Sequence, residues 1–287
     1  MMFAEKIRYT FSGHESFYCK SLWLKKGYDF VRAGNNFNAE DAVVHLGVGK
    51  NMVAAIRYWL RAFGLLEEGN PTEIADFLLD NENGKDPYIE DLGTLWLLHY
   101  YIVKTELASI YKLFFIDFHK EKNNEFTREQ LQHFLKRKCT ETVTFYTENT
   151  VSRDIGVLLQ NYVMPKQDRP NEDFAALMLN LNLIRQSESE SKTLYFNMKG
   201  KSELVPEIFL YAVIDDKKEG KIVPFDRLKD IALIFCLSIT ELIETILLIV
   251  EKYPQSLRYT DDGGIKQLFF LKEINKNEIL EKYYSRL

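Results

Sequence analysis

The sequence predicts a mostly α-helical protein with small β-wings, in which tandem winged helix-turn-helix units are joined by a buried helical hairpin. Capped amphipathic helices recur in pairs at three places along the 287 residues. In two of these places the helix pair is followed by a strand pair with a turn. The recurrence indicates that one small helical unit is repeated along the chain.

The first unit has the clearest signals. Asn38 is placed to cap a short helix over residues 39–46, and a glycine turn follows. A second helix is predicted over residues 50–63, where apolar side chains recur every three or four positions, and Gly64 ends it. Residues 65–71 contain a short apolar stretch and a turn, which predicts the start of a wing.

The second and third units are marked by capping boxes. Thr127 with Gln130 begins one helix, and the apolar spacing of residues 151–162 predicts the helix after it. In the third unit Ser238 begins the second helix, and residues 257–271 predict a β-hairpin.

Residues 92–118, between the first two units, are apolar and aromatic, which predicts the buried helical hairpin. We expect an N-terminal winged-helix domain with this hairpin over residues 1–120, and a C-terminal domain with two further winged-helix-like units over residues 121–287. The most apolar window, residues 231–250, contains a helix cap and predicts two buried helices instead of a membrane span. With no apolar signal segment and three widely spaced cysteines, a cytoplasmic protein without membrane contact is expected.

The charge is distributed unevenly. The chain has 37 Lys and Arg against 42 Asp and Glu, which argues against a protein that coats DNA with its whole surface. Residues 42–66 and 16–28 nevertheless contain bases and no acid. The predicted DNA-binding residues are Lys50, Asn51, Arg57, Arg61, Lys20, Lys25 and Lys26. The alternative is a solvated helix face, and the acidic second helix of the third unit favours a protein contact instead.

The residues between Phe11 and Phe17 combine polar and aromatic side chains. His14 beside Glu15 could supply a general base or part of a divalent-metal site, and the alternative is a buried, hydrogen-bonded histidine. Asp86 and Asp91 are further candidate ligands, with Glu15, for Mg2+ or Mn2+, although an acid before a helix also serves as a cap. Phosphate-loop and dinucleotide-binding glycine patterns are absent, so no organic cofactor is expected.

Three segments resemble a known family. They are Phe11-Ser-Gly-His-Glu-Ser-Phe17, Leu46-Gly-Val-Gly-Lys-Asn-Met-Val53 and Asp86-Pro-Tyr-Ile-Glu-Asp91. They are similar to the bacterial and archaeal domain-of-unknown-function family 4007, and the resemblance covers most of the chain. Some members are SspB-like proteins of DNA phosphorothioation systems that defend bacteria against phage, and members are often encoded beside a phosphoadenosine-phosphosulfate-reductase-like protein.

The resemblance implies a DNA-binding protein of a modification or defence cassette. An enzymatic version adds a metal-dependent nick, with His14 as base and Glu15, Asp86 and Asp91 as metal ligands. The alternative is a non-catalytic adaptor or transcriptional regulator that docks a sulfur-transfer partner enzyme. The sequence leaves a homodimer open.

Overall fold

The computed structural model describes residues 8–122, 124–165, 175–190, 192–201, 203–217 and 219–286. The protein is mostly helical with small antiparallel sheets, as the sequence predicts. It divides into two compact units, Met1–Asn197 and Met198–Leu287. The boundary expected at residues 120–121 lies inside the first of these units.

The elements of the first unit are, in chain order, α1 (Trp23–Arg32), α2 (Ala42–Leu46), α3 (Lys50–Ala62), β1 (Leu66–Glu67), β2 (Asn70–Pro71), α4 (Glu73–Leu79), α5 (Leu92–Lys104), α6 (Ser109–Lys112), a π-helix (Leu113–Phe118), α7 (His119–Glu121), β3 (Glu125–Thr127), α8 (Arg128–Glu141), α9 (Glu148–Tyr162), a 3₁₀ turn (Leu179–Leu181), β4 (Ile184–Gln186) and β5 (Thr193–Phe196). Those of the second unit are α10 (Pro206–Asp216), β6 (Ile222–Pro224), α11 (Phe225–Ile234), α12 (Ile239–Lys252), β7 (Leu257–Asp262), β8 (Ile265–Phe270) and α13 (Lys276–Tyr284).

Helices α2 and α3 and the hairpin β1–β2 follow one another in the predicted order. Gly64 has a φ of +68° just after α3, which is the left-handed conformation that favours glycine. The beginning of α2 differs from the prediction, because the helix starts at Ala42 and Asn38 does not cap it. The Asn38 side chain instead accepts a hydrogen bond of 2.7 Å from Nη1 of Arg57 on α3.

The two three-stranded sheets have the same topology. In each, one strand precedes a pair of helices and two strands follow, and the last strand lies in the middle, giving the orders β3-β5-β4 and β6-β8-β7. The capping boxes at Thr127 and Ser238 are both present, as the sequence predicts. The leading strands β3 and β6 were not predicted, because three residues are too short to show an alternating pattern.

A buried helical hairpin lies between the first two helix pairs, as expected. Helix α5 and the α6–π-helix segment are almost wholly buried and rich in aromatic side chains. His99 on α5 is fully buried, and its Nδ1 lies 2.8 Å from the Tyr162 hydroxyl on α9. Helix α9 therefore packs against this hairpin and is hydrogen-bonded to it.

Helices α10, α11 and α12 of the second unit carry many apolar side chains. Within the described residues, no single helix combines the length and the apolar composition that crossing a bilayer requires. Helices α11 and α12 meet both requirements only when taken together, and they are bent by 106° at the break between them.

Candidate nucleic-acid interface

The N-terminal segment that carries His14 is fastened to helix α9. The backbone N–H of Ser12 donates to both carboxylate oxygens of Asp154, at 3.1 and 3.0 Å. Seven residues further along both segments, the N–H of Cys19 donates to Oδ1 of Asn161 at 3.1 Å. Asp154 and Asn161 are buried and lie two turns apart on α9. The segment therefore runs along one face of this helix.

His14 is held on both sides of its ring. Nε2 lies 3.0 Å from Oδ1 of Asp154, and Nδ1 accepts a hydrogen bond of 3.0 Å from the N–H of Ser16. Because Nδ1 is an acceptor, the proton is on Nε2, which donates to Asp154. His14 as a whole is 4% exposed. His14 can act as a general base only after one of these hydrogen bonds breaks.

The backbone around His14 is strained. Ser12, Glu15 and Ser16 have φ values of 73°, 49° and 64°, and Gly13 has a φ of 101°. A Cβ atom on Gly13 would lie 2.7 Å from the ring of Tyr58. Residues in such conformations persist only where the surrounding structure compensates for the strain, and they occur most often at functional sites. We call residues 11–17 the motif loop.

The pKa of Tyr58 reflects the charge and burial around the motif loop. This pKa lies well above the ordinary value for a tyrosine, because burial disfavours the phenolate and the charge of Asp154 opposes it further. The charge of the buried Asp154 carboxylate therefore acts on Tyr58. Hydrogen-bond donors of Ser12 and His14, on the motif loop, stabilise that charge.

A polar cleft of about 410 Å³ opens beside His14. Its walls are residues 12 and 14–16 of the motif loop, Asn51 at the start of α3, and Thr150, Arg153 and Asp154 of α9. Arg153 and Glu15 are exposed there, and neither side chain forms an ion pair with another described residue. We call this space the polar cleft.

A second depression, the basic groove, has a volume of about 890 Å³. Lys50, Arg57 and Arg61 line it along α3, and residues 37–40, 42 and 43 also line it. Lys50 and Arg61 are exposed and, within the described chain, have no ion-pair partner. Glu40 also lies on the wall, so three bases and one acid line the groove, and most of its other lining residues are apolar.

The predicted flanking lysines have different environments. Lys26 is exposed on α1, whereas Lys20 is half-buried with its ammonium 5.9 Å from the centroid of the Trp23 ring. Lys25 is 5% exposed, and its ammonium donates to Asp29 and Asn81. Lys25 is therefore committed to these two partners and lies outside the surface that a phosphate could reach.

The predicted acidic metal ligands serve the local backbone. Asp86 is buried and accepts hydrogen bonds from the N–H groups of Glu90 and Asp91, at 2.9 and 3.0 Å. Asp91 caps α5 by accepting from the N–H of Thr94 at 3.0 Å. Among the described residues, no group of three or more His, Cys, Asp or Glu side chains is arranged to hold a metal ion. Among the described residues, Glu15, Asp86 and Asp91 therefore do not form such a group.

Asp154, Arg153 and Thr150 complete the polar cleft, and none of them was among the predicted site residues. The sequence contains a signal for Asp154. Asp154 and Asn161 occupy positions of the apolar stripe on α9, next to Ile155 and Tyr162, where a buried polar side chain needs a specific partner. Asp154 has its partners in Ser12 and His14 of the motif loop, and Asn161 has one in the backbone of Cys19, about 140 residues earlier in the chain.

These features define the class of protein. A family model described as a protein of unknown function, DUF4007, matches residues 11–284, so the chain belongs to this family and the resemblance drawn from its motifs is confirmed. Two solved structures are similar to it, one described as a magnesium ion-bound SspB crystal structure and the other as an SspB crystal structure. Their identities are 27% and 26%, and both have a TM-score of 0.82 and cover 96% of this chain and 88% of the other. No curated protein matches the chain.

Proposed function

We propose that this protein binds DNA through the basic groove, as part of a phosphorothioation-type modification or phage-defence pathway. The observation that carries the proposal is the alignment of Lys50, Arg57 and Arg61 along one side of α3. At 1.5 Å per residue, the three positions span about 16 Å of helix axis, enough to contact several successive phosphates of one strand.

The winged-helix interpretation supports the same surface. Helix α2, the glycine turn, α3 and the β1–β2 hairpin occur in the order of a winged helix-turn-helix, whose second helix enters the major groove. Glu67 and Glu68 are exposed on the hairpin. Because these acids would repel phosphate, the proposed complex places the hairpin away from the duplex.

The pathway is inferred from the family. The two solved SspB structures cover 96% of this chain. The resemblance of its motifs to the family implies a DNA phosphorothioation system. A phosphoadenosine-phosphosulfate-reductase-like enzyme is accordingly the proposed protein partner.

Nicking of DNA is a separate extension of this proposal. One solved neighbour binds magnesium, but in this chain the described carboxylates do not converge, and those of Asp86 and Asp154 are occupied by N–H donors. The proposed binding of DNA therefore does not depend on a metal ion, and nicking with Mg2+ or Mn2+ needs its own test. Nicking of supercoiled plasmid with either ion, lost in Glu15→Gln, would support the extension, while equal nicking by both proteins would place the chemistry elsewhere.

Fluorescence anisotropy with labelled duplex DNA tests the binding proposal. The double variant Arg57→Ala/Arg61→Ala should bind more weakly than wild type at matched salt, because two phosphate contacts are lost. The matched control removes two exposed bases of the second unit, Lys221→Ala/Lys272→Ala, with the same change in net charge. If both double variants lose DNA affinity equally, the effect is one of overall charge. The assignment of the basic groove as the DNA-binding surface would then be wrong.

One observation favours an adaptor function as the second candidate. Helix α12 exposes Ile239, Leu247 and Leu248, each about half exposed, beside Glu244 and Glu251. An apolar strip bordered by acids suits a protein partner better than DNA. If the protein co-purifies with the reductase-like enzyme and binds no DNA at low salt, the adaptor or regulator function replaces the proposed one.

A further inference from the structure

A third depression lies next to the polar cleft. It has a volume of about 440 Å³, and its walls are residues 8–11 on one side and Thr144, Phe145, Thr147, Thr150 and Val151 on the other. We call it the aromatic hollow. Phe145 is 80% exposed, although water contact with so large an apolar side chain is unfavourable.

The three depressions border one another. Thr150 lines both the aromatic hollow and the polar cleft. Gly13 and Lys50 line the basic groove, and their neighbours in sequence, His14 and Asn51, line the polar cleft. The motif loop and the start of α3 therefore separate the basic groove from the polar cleft.

The polar cleft offers several hydrogen-bond donors to a phosphodiester group, against the exposed carboxylate of Glu15, which also lines it and opposes an anion. Arg153 is exposed there with no ion-pair partner among the described residues, and Asn51, Ser16 and Thr150 add groups that can donate hydrogen bonds. The buried carboxylate of Asp154 is already compensated by donors from Ser12 and His14. Arginine matches phosphate geometry better than any other side chain.

The aromatic hollow suits a nucleobase. Phe145 offers a flat ring for stacking, and the exposed base Arg8 lies on the opposite wall. The hydroxyls of Thr147 and Thr150 bond no other described residue, so they can pair with polar edges of a base. An aliphatic peptide side chain would use none of these polar groups, which is why we assign the hollow to a base and not to a protein segment.

We propose that the polar cleft and the aromatic hollow together hold one unpaired nucleotide, with its phosphate at Arg153 and its base stacked on Phe145. The inference rests on the proposed function, since the remainder of the same DNA lies in the basic groove. A nucleotide that is already unpaired costs less to take out of the base stack than a paired one. The protein should therefore prefer DNA that contains an unpaired nucleotide.

Fluorescence anisotropy with three labelled duplexes of equal length tests this preference. One duplex is fully paired, one has a single unpaired adenine in its centre, and one has an abasic nucleotide in place of that adenine. Wild-type protein should bind the adenine duplex at least about fivefold more tightly than the other two, because stacking of a base on an aromatic ring contributes a factor of about that size or more.

Single substitutions test which residues produce the preference for the unpaired adenine. Phe145→Ala should lose the preference for adenine over the abasic nucleotide while still binding paired DNA, and Phe145→Trp should keep it. Arg153→Ala should weaken binding of the adenine and abasic duplexes more than that of the paired duplex, because both contain the phosphate that Arg153 contacts. Tyr88→Ala, which removes the aromatic ring of a residue that is 60% exposed, is the matched control and should behave as wild type. If wild type binds all three duplexes equally, or if Phe145→Ala keeps the preference, the nucleotide site is wrong and the proposed function stands. If wild type binds no duplex at low salt, both proposals fail.

Discussion

Replacing Asp154 by alanine should destabilise the first unit, because this carboxylate is the link between helix α9 and the motif loop. It is 3% exposed and accepts from the N–H of Ser12 and from Nε2 of His14. Alanine leaves both donors without their acceptor. The ring of His14 is buried, so its N–H cannot turn to water without opening the loop.

The magnitude follows from the two donors. A hydrogen bond to a charged group contributes about 1.5–3 kcal/mol, which gives roughly 3–6 kcal/mol for two. Ser12 is exposed and its N–H can recover a water molecule, and alanine no longer buries a charge. The expected net loss is therefore about 3 kcal/mol, which lowers Tm by roughly 6–12 °C for a unit of this size.

Asparagine at this position should have an intermediate effect. With its amide oxygen at the position of Oδ1, asparagine can accept from both Nε2 of His14 and the N–H of Ser12, which lie 3.0 and 3.1 Å from that atom. Its NH2 group then replaces Oδ2, 3.0 Å from the same N–H of Ser12, so two donors face each other. This contact and the loss of the charge should make Asp154→Asn cost about 1–2 kcal/mol.

Thermal unfolding followed by circular dichroism measures both variants. Arg153→Ala is the matched control, because Arg153 is the adjacent residue on α9 but is exposed, and its Tm should change by no more than about 2 °C. A Tm for Asp154→Ala as close to wild type as that of the control would refute the reasoning that this carboxylate holds the motif loop.

Three further predictions concern other parts of the chain. Gly13→Ala should lower the unfolding free energy by about 2–4 kcal/mol in urea titrations, because φ is 101° and the new Cβ would meet Tyr58, whereas Gly34→Ala has no such contact and should cost less. Glu207→Ala should cost about 2 kcal/mol, since this buried carboxylate pairs with Lys252 and Arg286, and an unchanged midpoint would show that the pairs contribute nothing. Burial raises the pKa of the Cys236 thiol to about 12, so iodoacetamide at pH 8 should label this thiol in guanidinium and hardly at all in the native protein.

Local features of the fold could be predicted because each depends on residues that are close in sequence. The capping boxes at Thr127 and Ser238 and the left-handed Gly64 are formed within a few positions of one another, and the structure has all three. The start of α2 could not be predicted, since Asn38 has a competing partner in Arg57, nineteen residues later.

The candidate site was predictable only in part. The motif loop and the bases on α3 were identified from sequence, because each is a contiguous or periodic pattern. Their relation to Asp154 depends on contacts between residues 140 positions apart, which neither spacing nor charge reveals. Lys25 shows the reverse problem: an acid-free stretch contains a lysine that the fold buries against Asp29 and Asn81.

The salt dependence of DNA binding is the most direct test of the central claim. Each base that contacts a phosphate contributes about −0.9 to the slope of log K against log salt. If Arg57 and Arg61 both lie on phosphates, the slope of the double alanine variant should be shallower than that of wild type by about 1.8. The Lys221→Ala/Lys272→Ala control should keep the wild-type slope. Identical slopes for wild type and Arg57→Ala/Arg61→Ala would contradict the assignment of the basic groove as the DNA-binding surface.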